Sequence, residues 1–254
     1  YHILGFNKWK PQKQYGGLLM LGIIGAMDVE VDAIKKKITN PVTTNLAGCD
    51  FVCGFIESVM VCVAQCNPGK VNAALCTQAM IDKFDADKII NIGVGCSLSE
   101  DVVIKNIVIA EDVCQYDIDI TALGEPRGYI NGLNTIKIET SKEISDKLAR
   151  IAIASGEKIR RGTVASGDTF IASTELKKNL KNHFGAICGE MEGAAIGHVC
   201  SANNIPFAVL RSISDGGDEK AQLDYPTFKK IAVEKSTAII LKYIETEKTQ
   251  LELF

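Results

Sequence analysis

The sequence is poor in arginine and histidine, and each shortage excludes something. Only five of its 28 basic residues are arginine, at positions 127, 150, 160, 161 and 211. Proteins that grip phosphate or carboxylate by bidentate forks generally carry more. Three histidines (His2, His183, His198) and the absence of any C-x-x-C leave no zinc or haem spacing, and no metal or cofactor is expected. No stretch reaches the 18 or more apolar residues of a membrane span, so no membrane partner is expected. An excess of one sign of charge is missing too. The net charge is −3 and the pI near 5.7, a balance that offers no field to a polyanion and argues against nucleic acid as a partner.

What the chain does contain is ordinary for a folded protein. It has 254 residues, 46% of them hydrophobic and 23% charged, with 22 Gly and 6 Pro, and a mean hydropathy of +0.11. These values exclude disorder, collagen and coiled coil. Nine cysteines, an odd number, are scattered through apolar runs (49, 53, 62, 66, 76, 96, 114, 188 and 200). They read as free, buried, reduced thiols, which favours a reducing compartment and a cytoplasmic location. Residue 1 is Tyr, so an upstream segment beyond the chain as given is expected. Lys8, Lys10 and Lys13 before the apolar run 17–26 superficially resemble a signal peptide. The better reading is a polar arm of unknown role (1–17) followed by a buried first strand and one continuous domain (18–254).

Strand and helix patterns interleave along that domain. Short apolar runs bounded by glycine read as buried strands at Leu18–Ile24, Lys88–Ile92, 162–166, 186–190 and 206–213. Phe51–Ile56 and Ser58–Gln65 read as paired strands, and Val102–Val113 as strand-rich. Helices are expected at Asp28–Lys37, Lys70–Lys83, Ser141–Ala154 with Ser141 as N-cap, 173–181, 192–203 and 226–246. Residues 114–140 are polar and irregular, long for a plain connection. No composition break, linker or repeat divides the chain. The pattern predicts a single-domain α/β fold, a three-layer α/β/α sandwich with a mixed, largely parallel central sheet.

In such folds ligands sit beyond the carboxyl ends of strands. That directs attention to five expected strand-to-helix junctions: 25–30, 93–97, 166–171, 189–192 and 214–218. Four of them carry an acid. Asp215 follows an apolar strand and precedes Gly216-Gly217, so it is either a partly buried acid at a strand end or the cap of a turn. Glu30 shares a first helical turn with Asp28, near Asp32, and periodicity does not choose among the three. Glu192 heads a helix, where an acid also complements the dipole. Arg211, alone in an apolar strand, must be paired if buried.

Four stretches taken together resolve these choices. Gly-Ile-Ile-Gly-Ala-Met-Asp-Val-Glu-Val (22–31), Ser-Gly-Asp-Thr-Phe-Ile (166–171), Gly-Glu-Met-Glu-Gly-Ala-Ala-Ile-Gly-His-Val-Cys (189–200) and Val-Leu-Arg-Ser-Ile-Ser-Asp (209–215) occur in this order. Together they resemble the 5′-methylthioadenosine/S-adenosylhomocysteine nucleosidases of the purine nucleoside phosphorylase-like superfamily, over about residues 21–245. The resemblance implies an adenine nucleoside as substrate, hydrolysis of its N-glycosidic bond, and a homodimer in which loop 117–132 lies near the neighbouring subunit's site. Asp215 would protonate adenine N7, Glu30 would activate water, and Arg211 would pair with Glu30 and help to fix that water. Glu192 would accept the ribose 2′- and 3′-hydroxyls while Met191 packs on the sugar. Phe170 and Ile171 would stack on adenine and offer backbone groups to its edge. Ser214, Val94, Gly95 and Pro68 would complete the site, and Glu190 would serve its wall.

The chemistry agrees with these assignments. An adenine anion is a poor leaving group, so the base must be protonated; the ribose must be held as it develops oxocarbenium character; and a nucleophile must reach the anomeric carbon from the other face. A carboxylic acid for the base and a carboxylate for water divide this labour as on sugar glycosides. No Arg precedes position 127, and acids follow the first strand, which suits water better than a phosphate dianion.

The sequence departs from the family pattern in three places. Gly93-Val94-Gly95-Cys96-Ser97 stands for a Gly-Ser-Ala-Gly-Gly-like segment. Cys66-Asn67-Pro68-Gly69-Lys70 stands for Ser-Gly-Ile-Gly-Lys, which puts Pro68 at the ribose 5′ side. Leu123 replaces an aromatic in 117–124, followed by Glu125 where Tyr is common. The 5′ end of the substrate is thus least determined, and an aminofutalosine-type nucleosidase stays open as an alternative. A purine nucleoside phosphorylase, or a non-catalytic storage or surface-binding protein on the same scaffold, are the other rivals.

Overall fold

A computed structural model describes residues 19–251, so the 1–17 arm lies outside the described residues. The centre of the fold is explained by the alternation inside its apolar runs. In β1 (Met20–Gly25), Leu21 and Ile23 face one core while Met20 and Ile24 face another. In β4 (Val59–Gln65), Val59, Val61 and Val63 take the first side and Met60, Cys62 and Ala64 the second. Strands buried on both faces lose the polar alternation of a one-sided sheet, which is why these runs are continuously apolar.

Ten strands form one mixed sheet. β1 pairs in parallel with β4 and with β5 (Ala86–Ser97), and β5 in parallel with β10 (Phe207–Asp215). β2 (Thr39–Leu46) and β3 (Cys49–Ile56) extend one edge as an antiparallel meander with β4. At the other side β6 (Ile107–Gln115), β8 (Ile159–Ser166) and β9 (Ala186–Glu190) run on from β10, and β9 returns to β5. The sheet thereby curls on itself, so the ends of β5, β8, β9 and β10 are brought to one place. The short β7 (Lys137–Glu139) pairs with β6.

Helices cover both faces. α1 (Asp28–Lys35), α3 (Lys142–Ala154) and α6 (Ala221–Leu251) pack together on one side, and α2 (Lys70–Phe84) packs with α5 (Gly193–Asn203) on the other. α4 (Thr174–Phe184) lies against β8 and β9. α2 approaches β1 so closely that a Cβ on Gly22 would meet Met80 Sδ at 2.5 Å. Ser141 caps α3 as expected, accepting from Ile144 N at 3.5 Å. Among the described residues no helix is long and apolar enough to cross a membrane.

The expected α/β sandwich with a mixed sheet is present, with four local differences. β5 continues through Gly93 and Gly95 to Ser97, so 93–97 is strand and not a strand-to-helix junction. The strand expected at Val102–Val113 starts only at Ile107, after turns. β2 has no counterpart in the sequence reading. α6 begins at Ala221, five residues before the expected start at Pro226, because a turn closed by Asp218 precedes it: Ala221 N donates to Asp218 O at 2.9 Å. That extra turn adds Tyr225 to the helix.

Candidate active site

The curled end of the sheet encloses a cleft of about 240 Å³. Eleven of the twelve residues expected from the sequence line it: Glu30, Pro68, Val94, Gly95, Phe170, Ile171, Glu190, Met191, Glu192, Ser214 and Asp215. Arg211 does not. It lies behind the wall, 1% exposed.

Glu30 is 3% exposed and lies in the first turn of α1. Its Oε2 accepts from the backbone N–H of Ala26 (2.7 Å) and Met27 (2.9 Å), and its Oε1 from Val94 N (3.1 Å). The carboxylate therefore turns back across the start of its own helix and bridges to β5. Gly93 makes that bridge possible, since a Cβ there would lie 2.9 Å from Glu30 Oε1. Asp28 is exposed, and periodicity alone could not have separated it from Glu30. Burial raises the Glu30 pKa, while Arg211 and the three backbone donors pull it back only in part.

Asp215 is the last residue of β10 and 2% exposed. Ser214 Oγ donates to Oδ2 at 2.8 Å and Gly217 N to Oδ1 at 3.0 Å. It is both the buried acid and the turn cap that the sequence left as alternatives. Burial again dominates and raises its pKa, against those two donors and with help from Asp224 and Asp218.

Glu192, 6% exposed, is the residue preceding α5. Its Oε1 accepts from Gly69 N at 2.9 Å, and Gly69 has φ +104°, a backbone that suits glycine. Burial, with the nearby Glu190 carboxylate, pushes the Glu192 pKa up to about 8. Outside the carboxylates the lining is largely apolar. Ile171 is buried and Phe170 is 46% exposed, and Phe170 meets Tyr225 edge-on with ring centroids 5.6 Å apart.

One expected contact is corrected. Arg211 does not form an ion pair with Glu30. Its Nη2 pairs with Glu190, donates to Asn91 Oδ1 at 2.5 Å, and stands 3.8 Å from Glu192 Oε2. The reason is the sheet: β9 and β10 both adjoin β5, and this carries Glu190 to the guanidinium. Burial opposes the charge on Arg211, but the Glu190, Glu192 and Glu30 carboxylates outweigh it and hold its pKa above the usual arginine value.

Sequence reasoning also missed Ala26, Met27, Thr169, Gly189 and Tyr225 in the lining, and Asn91 behind it. Tyr225, whose hydroxyl reaches Met27 Sδ at 3.1 Å, was hidden by the Pro226 start signal. Asn91, in a strand otherwise rich in isoleucine, was a legible oddity. Loop 117–132 contributes nothing to the cleft lining of its own chain. Among the described residues no three His, Cys, Asp or Glu are grouped so as to hold a metal ion.

A sequence profile of the phosphorylase superfamily matches residues 20–245. The chain is 34% identical over 228 residues to the 5′-methylthioadenosine/S-adenosylhomocysteine nucleosidase of Haemophilus influenzae (strain PittEE), covering 89% of this chain and 99% of that protein. Among solved structures, the Helicobacter pylori 5′-methylthioadenosine/S-adenosylhomocysteine nucleosidase superposes with a TM-score of 0.86 at 35% identity, over 91% of this chain and 99% of that one. A futalosine hydrolase mutant of Helicobacter pylori strain 26695 does so with a TM-score of 0.86 at 33% identity, over 91% and 100%. The chain belongs to the phosphorylase superfamily and, within it, to the 5′-methylthioadenosine/S-adenosylhomocysteine nucleosidase family.

Proposed function

We propose that this protein hydrolyses the N-glycosidic bond of 5′-methylthioadenosine and S-adenosylhomocysteine, releasing adenine and the 5′-thioribose. The observation that carries the reading is the convergence of Glu30, Glu192 and Asp215, from three separate elements, on one cleft with an aromatic pair at its mouth. Asp215, its pKa raised by burial, donates a proton to adenine N7 as the C1′–N9 bond breaks. Glu192 accepts hydrogen bonds from the ribose hydroxyls. Glu30 takes a proton from the water that attacks C1′, so the bond lost to adenine is replaced by a C1′–O bond. Each proton-transfer role is worth about 10²–10⁴ in rate.

Water is favoured over phosphate by the lining itself. It contains Glu30, Glu190, Glu192 and Asp215 but neither Lys nor Arg, and the buried Arg211 is engaged by Glu190. A phosphate dianion would find no cation in the lining to receive it, which disfavours the phosphorylase rival. A complete acid set in one cleft speaks against a non-catalytic scaffold protein. A futalosine-type nucleoside is the second reading, because a solved neighbour is named for that activity and the 5′ side is where this sequence departs most.

The active form is read as a homodimer, with loop 117–132 reaching the neighbouring subunit's cleft: Leu123 is 82% exposed in the single chain. A cytoplasmic location fits nine buried cysteines. The test is adenine release from a panel of 5′-methylthioadenosine, S-adenosylhomocysteine, adenosine and aminofutalosine. Preference for the two thio-nucleosides supports the reading, and preference for aminofutalosine replaces it with the second.

A further inference from the structure

Three charged residues in the stretches singled out by the sequence have no part in the proposed reaction: Lys70 at the start of α2, Asp117 after β6 and Asp168 after β8. They join in a ring. Asp168 Oδ1 accepts from Lys70 N at 2.7 Å, Asp168 N donates to Asp117 Oδ2 at 3.0 Å, and Asp117 Oδ1 pairs with Lys70 Nζ at 2.5 Å. Lys70 Nζ also donates to Gln115 Oε1 at 3.2 Å.

The ring closes on the end of a helix that cannot cap itself. α2 has Gly69 at its N-cap, no side-chain cap and no acid in its first turn, so its first N–H groups need acceptors from elsewhere in the chain. Two acids supply them. Glu192 Oε1 accepts from Gly69 N at 2.9 Å, and Asp168 Oδ1 takes the next N–H, that of Lys70. The chain enters α2 through a turn outside strand and helix, with Asn67 at φ +67° and Gly69 at φ +104°. Asp168 lies against that turn, since a Cβ on Gly69 would be 3.1 Å from its Oδ1. Among the described residues, Gly69 N is the one hydrogen-bond donor to the Glu192 carboxylate. Whatever aims Gly69 N therefore aims that carboxylate.

We propose that Asp168 is a positioning residue for ribose recognition: by capping α2 from a distant segment it keeps the Gly69 N–H on Glu192, and so sets how the Glu192 carboxylate meets the sugar hydroxyls. Asp168 itself is exposed and outside the cleft lining, so it acts through Gly69. A carboxylate held by one donor turns when that donor drifts, and a misaimed acceptor discriminates less between a hydroxyl and its absence. Asp117 completes the device by holding both Asp168 N and the Lys70 ammonium.

The inference rests on the reading of Glu192 as the ribose acceptor, and the test separates the two. The readout is the ratio of kcat/KM for 5′-methylthioadenosine to that for its 2′-deoxy analogue. Changes passed to adenine through Thr169, Phe170 and Ile171 act on both nucleosides and cancel in this ratio. In Asp168→Ala the ratio should shrink about three- to tenfold, the effect of one hydrogen bond. Asp168→Asn keeps Oδ1 as an acceptor and should restore the ratio to within about twofold of the parent. Ser141→Ala removes the cap of α3, which contributes nothing to the cleft lining; it should lower the melting temperature and leave the ratio unchanged, which separates lost position from lost stability. The same ratio is read without turnover as the relative affinities for 9-deazaadenosine and its 2′-deoxy analogue, C-nucleosides with no N-glycosidic bond to hydrolyse. An affinity ratio that shrinks in Asp168→Ala while no adenine is released leaves this inference standing and removes the proposed function. A Glu192→Gln variant that keeps the parent's ratio removes the ribose reading and this inference with it. Where Glu192→Gln does shrink the ratio, an Asp168→Ala ratio equal to the parent's overturns the inference alone, as does an Asp168→Asn ratio no better than that of Asp168→Ala.

Discussion

The inner wall of the cleft and its rim are built on different principles. On the inner wall each carboxylate is held by short backbone N–H donors, from Ala26, Met27 and Val94 to Glu30, from Gly69 to Glu192, and from Gly217 to Asp215. At the rim Pro68 and Phe170 are exposed, and Leu123 on the adjoining polar loop is 82% exposed. The wall is preorganised by its own chain, and preorganised donors and acids suit the chemistry common to every adenine nucleoside. The rim is left for whatever differs between substrates, and for a second subunit. That contrast explains why the family is plain from the wall while the 5′ preference is not.

The largest effects should come from the wall. Asp215→Asn keeps the size of the side chain but removes the proton, and adenine release should fall by about 10²–10⁴ with the melting temperature little changed. Unchanged turnover would break the comparison at its strongest point. Glu30→Gln should cost a similar factor, measured in the same assay, and added phosphate should not restore it.

Glu192→Gln should act mainly through the sugar. The discrimination between a ribonucleoside and its 2′-deoxy analogue, read as the ratio of kcat/KM values, should shrink by at least about tenfold, since a site built to hold a hydroxyl rejects the analogue without it by far more than that. Stability should report the same carboxylate. A group whose folded pKa is raised binds more protons folded than unfolded. Its stabilisation is full below the ordinary carboxylate range and is lost as pH rises through the folded value, about 8 for Glu192. Glu30 and Asp215 act in the same sense. The melting temperature should therefore decline between about pH 5 and 8, and Glu192→Gln should flatten that decline.

Most of the wall was legible because its residues sit in short contiguous motifs at strand ends: alternation and glycine punctuation marked the junctions, and the resemblance of the four stretches to a known family chose Glu30 over Asp28 and Asp32. What was not legible depends on partners distant in sequence. The Arg211–Glu190 pair follows from the sheet closing on itself, and Arg211 could equally have been matched to Glu30 by composition alone. β2 carries no apolar alternation, since it is an exposed edge strand that includes Pro41, and only its pairing with β3 defines it. Tyr225 was hidden because Pro226 reads as a helix start although the helix begins a turn earlier.

The rim should yield the smallest effects. Leu123→Asp should leave the stability of the isolated subunit within about 0.5 kcal/mol, but should raise KM for 5′-methylthioadenosine several-fold if the loop serves a neighbouring cleft. A KM equal to the parent's would confine the loop to its own subunit.

The central claim is that a carboxylate-lined cleft directs water, not phosphate, to an adenine nucleoside. The direct measurement is the product formed from 5′-methylthioadenosine with and without inorganic phosphate, resolved by chromatography. The account predicts adenine and free 5-methylthioribose at the same rate in both conditions. A sugar 1-phosphate, formed at a rate that rises with phosphate, would contradict it.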